Sequence, residues 1–206
     1  MSKSVTKSRL YQRKRVRRRR RRRKITRSIV TVLLIIITTC AIFAAVKGGS
    51  EISKKMKYPV EYSSYIVKYA HENDLDPYLV IAVIKQESHF VADARSAYAG
   101  GLMQLTEVTA NECAGKLGLT NYDYMDPETN IKLGCYLLRV LINRYGSTDT
   151  ALAAYNAGIG NVDGWLADSN YSRDGKTLYE IPFTETKYYV EKVNQYIKEY
   201  KENVEL

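Results

Sequence analysis

The chain has 206 residues, enough for one core of ordinary size plus appendages, and its 32 Lys and Arg against 22 Asp and Glu give a net charge of +10. The basicity is local: residues 1–28 hold 15 Lys and Arg and no acid, and the remainder has 17 basic and 22 acidic residues, a net −5. That distribution argues against a basic nucleic-acid-binding fold, and three cysteines with two histidines at no metal-ligand spacing argue against structural zinc.

The basic tail runs unbroken from Arg17 to Arg23, then Lys24 and Arg27. Ile29 to Val46 follows, 18 uncharged residues. At about 1.5 Å per residue such a helix just crosses a hydrocarbon core. A cleaved signal peptide is the competing reading. It calls for a shorter basic region, roughly 7–15 apolar residues and a small-x-small cleavage site; no Ala-x-Ala precedes Lys47. Cys40 stands where a bacterial lipid anchor would attach, but Thr39 occupies the position that needs a small residue. The expectation is a retained single-pass signal-anchor at 29–46, with residues 1–28 cytoplasmic and the rest outside the cell membrane, by the positive-inside rule. Arg17 to Arg23 would also sit against anionic lipid, worth on the order of 1 kcal/mol per near-surface charge. Salt-sensitive nucleic-acid contact by this tail is the alternative.

A linker spans 47–57, starting at Gly48-Gly49-Ser50 and ending near Tyr58-Pro59. A helix is expected over about Val60 to Glu72, with Ile66, Tyr69 and Ala70 on one face. Asp76 and Pro77 are a good N-cap and first helical residue, and Leu79 to Ile84 is apolar on every side, the pattern of a helix buried in a core. The segment His89 to Gly101 reads as a loop. Further helices are expected near Thr106 to Leu117, ended by Gly118; from Asp126-Pro127 to Gly146; and over about Asp149 to Asn156. A polar loop spans Asp168 to Lys176, and a last helix follows Ile181-Pro-Phe-Thr184 with Tyr189, Val193, Tyr196, Ile197 and Tyr200 as its stripe. No strand pattern and no repeat is evident, so the fold class is all-α over residues 58–206. A Cys113–Cys135 disulfide is allowed by the compartment; a plain buried Cys135 beside Ile131, Leu138, Leu141 and Ile142 fits equally.

The buried helix stops on Glu87-Ser88. A carboxylate at such an end is partly desolvated and faces the negative end of the helix dipole, and both raise its pKa toward that of a general acid. Most glutamates at helix ends are simply solvated, so the rest of the chain has to decide.

Four stretches decide it together: Glu87-Ser88; Gly101-Leu-Met-Gln104; Ala153-Ala-Tyr-Asn-Ala-Gly158 with Gly160-Asn161-Val162; and Ile181-Pro-Phe-Thr-Glu-Thr186 with Tyr189-Val190. Asp126-Pro-Glu-Thr-Asn-Ile131 with Gly134 lies between them. In this order and spacing, residues from about 58 to 200 resemble the catalytic domain of the soluble lytic transglycosylase family, which is related to goose-type lysozyme.

The resemblance implies a lysozyme-like helical domain acting on peptidoglycan glycan strands, with no cofactor and no metal. It implies that Glu87 is the single acid/base, cleaving the β-1,4 bond between N-acetylmuramic acid and N-acetylglucosamine and closing a 1,6-anhydro ring. Ser88 matches a residue orienting the carboxyl, Met103 and Gln104 match pocket-lining residues, Tyr155 and Asn156 match a substrate-contacting pair, and Tyr189 matches the tyrosine that reaches the carboxyl. Glu185 is read as stabilising its helix N-terminus. Two-carboxylate glycosidases place their acids roughly 5–9.5 Å apart; between Glu87 and Gly101 the only acid is Asp93, in the loop. Family members carry a Ser in a Ser-x-x-Gly-Ala-x-Gly context, where this chain has Arg95 followed by Ser96. A hydrolytic muramidase on the same fold and a non-catalytic wall-binding module are the alternatives.

Overall fold

A computed structural model describes residues 57–206, together with 37–40, 42 and 43. The chain divides into two units, Met1–Met56 and Lys57–Leu206. In the first, the few described residues are helical and exposed. The expected tail at 1–28, most of the expected span at 29–46 and nearly all of the 47–57 linker lie outside the described residues. Among the described residues no helix is long and apolar enough to cross a membrane.

The second unit is helical apart from one small hairpin: α1 (Ser63–Glu72), α2 (Pro77–Glu87), β1 (Ala99–Gly100), β2 (Leu105–Thr106), α3 (Glu107–Lys116), α4 (Pro127–Tyr145), α5 (Thr148–Ala157), α6 (Ile159–Ala167) and α7 (Thr184–Asn203). Helix α2 is the centre. All six residues from Leu79 to Ile84 are buried, and the five larger ones, all but Ala82, each contribute roughly 1.5–3 kcal/mol of gross burial energy. Asp76 starts the helix by accepting the Tyr78 N–H at 3.0 Å, and Pro77 occupies the first turn.

Helix α7 packs along α2 in the opposite sense. At one end the Tyr78 hydroxyl donates to the Val204 carbonyl at 2.9 Å and Lys201 pairs with Asp76 at 2.6 Å; at the other, Tyr189 meets Glu87. Helix α5 packs against α4 and α7, while α1 packs against α2 and α4. Side chains start the other helices as well: Thr106 accepts from Thr109 N–H, Asp126 from Thr129 N–H, and Ser147 from Thr150 N–H. Gly146 ends α4 at φ +65°, a conformation in which glycine carries no Cβ penalty.

Three expectations need correction. The first helix begins at Ser63 rather than Val60, because Tyr62 adopts a left-handed conformation, φ +62°. A two-stranded hairpin interrupts the expected loop, pairing Ala99 with Thr106 and Gly100 with Leu105. Helix α6 was not expected at all. It contains Gly160 and Gly164 and is held by burial of Val162 and Trp165 and by Asp163, which accepts from Arg144 and from the Tyr145 hydroxyl. The disulfide alternative closes in favour of free thiols: Cys113 and Cys135 are both unpaired and buried, and burial pushes the Cys113 thiol up to about 11.

Candidate active site

Glu87 is the last residue of α2. Its helix is closed by Ser88, whose N–H donates to the Ile84 carbonyl at 3.0 Å. The next two residues, His89 and Phe90, take positive φ and turn the chain back. Phe90 is buried against Tyr200, so the reversal is anchored in the core. The carboxyl is thus left at the edge of the core, partly buried. Desolvation pushes its pKa up to about 7, and the hydrogen bond from Tyr189 opposes that shift. No neighbouring charge contributes to it. The cause foreseen in the sequence, desolvation, is the leading one.

Tyr189 arrives from the first turns of α7. It is 4 % exposed, and its hydroxyl donates to Glu87 Oε1 at 2.7 Å. Burial, then the nearby Glu87 charge, holds the Tyr189 phenol well above its ordinary range, so it remains a donor. Tyr155, from α5, is held protonated in the same way. Its hydroxyl does not reach Glu87 but donates to the Met103 carbonyl at 2.7 Å.

The turn 101–104 is the hub between these elements. Ser88 Oγ donates to the Leu102 carbonyl at 2.8 Å and to Ile84 at 3.2 Å, and no hydrogen bond joins it to Glu87 among the described residues. Ser88 therefore fastens the end of α2 to the turn. Met103 is fully buried and packs on Gly134 of α4, where a Cβ would overlap its thioether. In this conformation its side chain is core, and the backbone on either side faces the other elements. Gln104 adopts φ +45°, and its Nε2 donates to the carbonyls of Ala94 (3.0 Å) and Gly101 (2.9 Å). That leaves the amide oxygen for a ligand.

Two residues given no role from sequence prove central. Asn130 is fully buried on α4. It accepts the Met103 N–H at 2.7 Å and donates to the carbonyls of Gly100 (3.2 Å) and Tyr124 (2.8 Å). Gly101 must be glycine, since its φ is +79° and a Cβ would strike the Asn130 amide. Thr186, on α7, donates to Asn156 Oδ1 at 2.7 Å. Only the run Asp126 to Ile131 hinted at the first. The second lay within a quoted motif, but nothing in its spacing shows which side chain it faces.

Asn156, in the last turn of α5, lies beside a groove of about 510 Å³, lined by Asn156, Ala157 and Pro182 to Thr186. Glu185 sits in the first turn of α7, as expected. Arg95 bridges to Gly100, and Ser96 Oγ accepts the Ala99 N–H at 3.0 Å; both are exposed and neither is bonded to Glu87. Asp93 is exposed in the same loop. Among the described residues no group of His, Cys, Asp and Glu is placed to hold a metal.

The family described as Transglycosylase SLT domain matches residues 64–178. The soluble lytic murein transglycosylase of Salmonella typhimurium is 33% identical over 147 residues, covering 68% of this chain and 23% of that protein. The membrane-bound lytic murein transglycosylase F of Desulfosudis oleivorans is 42% identical over 106 residues, 47% of this chain and 22% of that one. An inactive mutant of the lytic transglycosylase Slt from Pseudomonas aeruginosa superposes with a TM-score of 0.63 at 32% identity, covering 72% of this chain and 25% of the other. The chain thus spans about a quarter of the length of the soluble relatives it matches. With the matched segment spanning the Glu87 helix, the 101–104 turn and Tyr155-Asn156, this chain belongs to the transglycosylase SLT domain family.

Proposed function

We propose that the chain is a peptidoglycan lytic transglycosylase that cleaves the β-1,4 bond between N-acetylmuramic acid and N-acetylglucosamine, with Glu87 as its only acid and base. The observation that carries the reading is the Glu87 carboxyl. Desolvation raises it to about 7 with no charged neighbour contributing, and Tyr189 occupies one of its oxygens. A carboxyl so placed is substantially protonated at neutral pH, as a general acid requires.

In the first step Glu87 gives its proton to the glycosidic oxygen as the C1–O4 bond breaks. The resulting carboxylate takes the proton of the muramic C6 hydroxyl, whose oxygen closes on C1. One C–O bond is broken and one formed, the proton passes from O6 to O4 through Glu87, and no water is consumed. The Tyr189 hydrogen bond favours the charged form, so it stabilises the carboxylate left when Glu87 gives up its proton in the first half of this cycle. The intramolecular hydroxyl supplies proximity that a captured water lacks. A single carboxylate suffices, whereas hydrolysis by the usual route needs a second one to activate water or to act as nucleophile. The names of the relatives, lytic murein transglycosylases both soluble and membrane-bound, support the same activity. The membrane-bound relatives also accord with an anchor at 29–46 holding the domain on the wall side of the membrane. Ser88, Met103 and Gln104 shape the site floor through the turn, and Tyr155 and Asn156 form the wall beside it.

The test is Glu87→Gln. The variant should fold as the parent does and release no soluble fragments from purified sacculi. Release at the parent rate would remove Glu87 from the mechanism and end this reading.

A further inference from the structure

Thr186 and Asn156 form a hydrogen-bonded pair at the wall of the 510 Å³ groove. Thr186 is only 2 % exposed, and its hydroxyl donates to Asn156 Oδ1 at 2.7 Å. That is the one hydrogen bond this hydroxyl makes among the described residues. Asn156 is partly exposed, and its Nδ2 has no acceptor among the described residues. Among the described residues no buried side-chain nitrogen or oxygen lacks a partner, so Nδ2 is open to solvent. An amide has nearly the same shape after a half-turn, and its orientation is set by its partners. Turned over, Asn156 would present hydrogens to Thr186 and take away the only acceptor of a buried hydroxyl proton. The buried hydroxyl therefore selects one orientation, with the NH2 facing outward.

We infer that Thr186 is a positioning residue that locks the Asn156 amide with its NH2 toward the groove, so that this wall reads a carbonyl oxygen on the substrate. The inference rests on the peptidoglycan reading above. A peptidoglycan strand offers carbonyls from two sources, the acetamido groups of its sugars and the peptide bonds of its stems. Both accept from an amide NH2 in the same way. Among the described residues Glu185 borders the groove and no cation does, which disfavours a carboxylate as the group being read.

Binding is measured on the full chain in a Glu87→Gln background, so that strands are held and not cut. The probes are purified glycan strands with stem peptides, the same strands stripped by an amidase, and the same strands de-N-acetylated. Thr186→Val keeps the shape and frees the amide to turn; it should weaken binding of intact strands about tenfold. Thr186→Ser restores the hydroxyl and should bind within about twofold of the parent. Asn156→Asp keeps the acceptor for Thr186 and replaces the NH2 with oxygen. It should show the same loss without depending on how valine packs. The penalty should vanish on one of the two stripped strands, which identifies the carbonyl. The inference is overturned if Thr186→Val or Asn156→Asp binds like the parent, if Thr186→Ser fails like Thr186→Val, or if the penalty is unchanged on both stripped strands. Cleavage is not read in this assay, so its failure leaves the lytic reading to the Glu87→Gln test.

Discussion

Tyr189 donates its hydroxyl to Glu87 Oε1 at 2.7 Å, closing a contact between residues 102 apart in the chain and joining the end of α2 to the start of α7. Because a phenol can stabilise a carboxylate more than a carboxylic acid, this bond pulls the Glu87 pKa down while desolvation pushes it up. Tyr189→Phe removes the downward pull. The alkaline limb of the pH–kcat/KM profile should move to higher pH, and kcat should fall on the order of tenfold as Glu87 becomes a weaker acid in the first half of the cycle. A limb that moves to lower pH contradicts this role.

Glu87 also links pH to stability. Its folded-state pKa, about 7, lies above the ordinary value of 4.5. Between those values the folded chain binds more protons than the unfolded one, so stability from this group is full below about pH 4.5 and is lost as pH rises through about 7. Glu87→Gln should therefore be the more stable protein at pH 8, by on the order of 3 kcal/mol, and the advantage should shrink toward pH 4.5. Urea denaturation at the two pH values measures it. Equal stability at pH 8 would mean the carboxyl is solvated after all.

Asn130 is a stability residue with a functional consequence. Replacing it with Ala strands the Met103 N–H and the carbonyls of Gly100 and Tyr124 in the core. The expected cost is about 3 kcal/mol, or roughly a 6–12 °C fall in Tm for a domain of this size. A fall of under 2 °C in a thermal melt would show that the 101–104 turn holds without it.

The proposed anchor is checked by fractionation. The full chain should sediment with membranes, resist extraction by high salt and dissolve in detergent. Residues 50–206 alone should stay in the soluble fraction. Release of the full chain by salt would leave only electrostatic attachment through the Arg17 to Arg23 tail, which is screened.

Much of the scaffold was legible because its signals are local. Asp76-Pro77 and Asp126-Pro127 cap and start α2 and α4, Gly146 ends α4, and the continuous apolar run from Leu79 to Ile84 marks the core helix. Helix α6 escaped notice because two glycines in nine residues lower its intrinsic propensity, and the packing of Trp165 and Val162 that offsets this is tertiary. The hairpin strands are two residues each, too short for an alternating pattern. At the site, Glu87 could be read from its place at the end of an apolar helix. The roles of Asn130 and Thr186 could not, since each is a polar residue inside a helix whose partner comes from a distant segment. Met103 and Ser88 show the same limit: the sequence places them beside the site, while burial and hydrogen bonding decide which side they face.

In the proposed reaction one carboxyl, Glu87, both donates and accepts the proton, with the muramic C6 hydroxyl in place of water. Mass spectrometry of the strand ends left after digestion of purified sacculi reads this directly. The parent chain should leave 1,6-anhydro-muramic ends, absent with Glu87→Gln; reducing muramic ends would assign a hydrolytic muramidase instead.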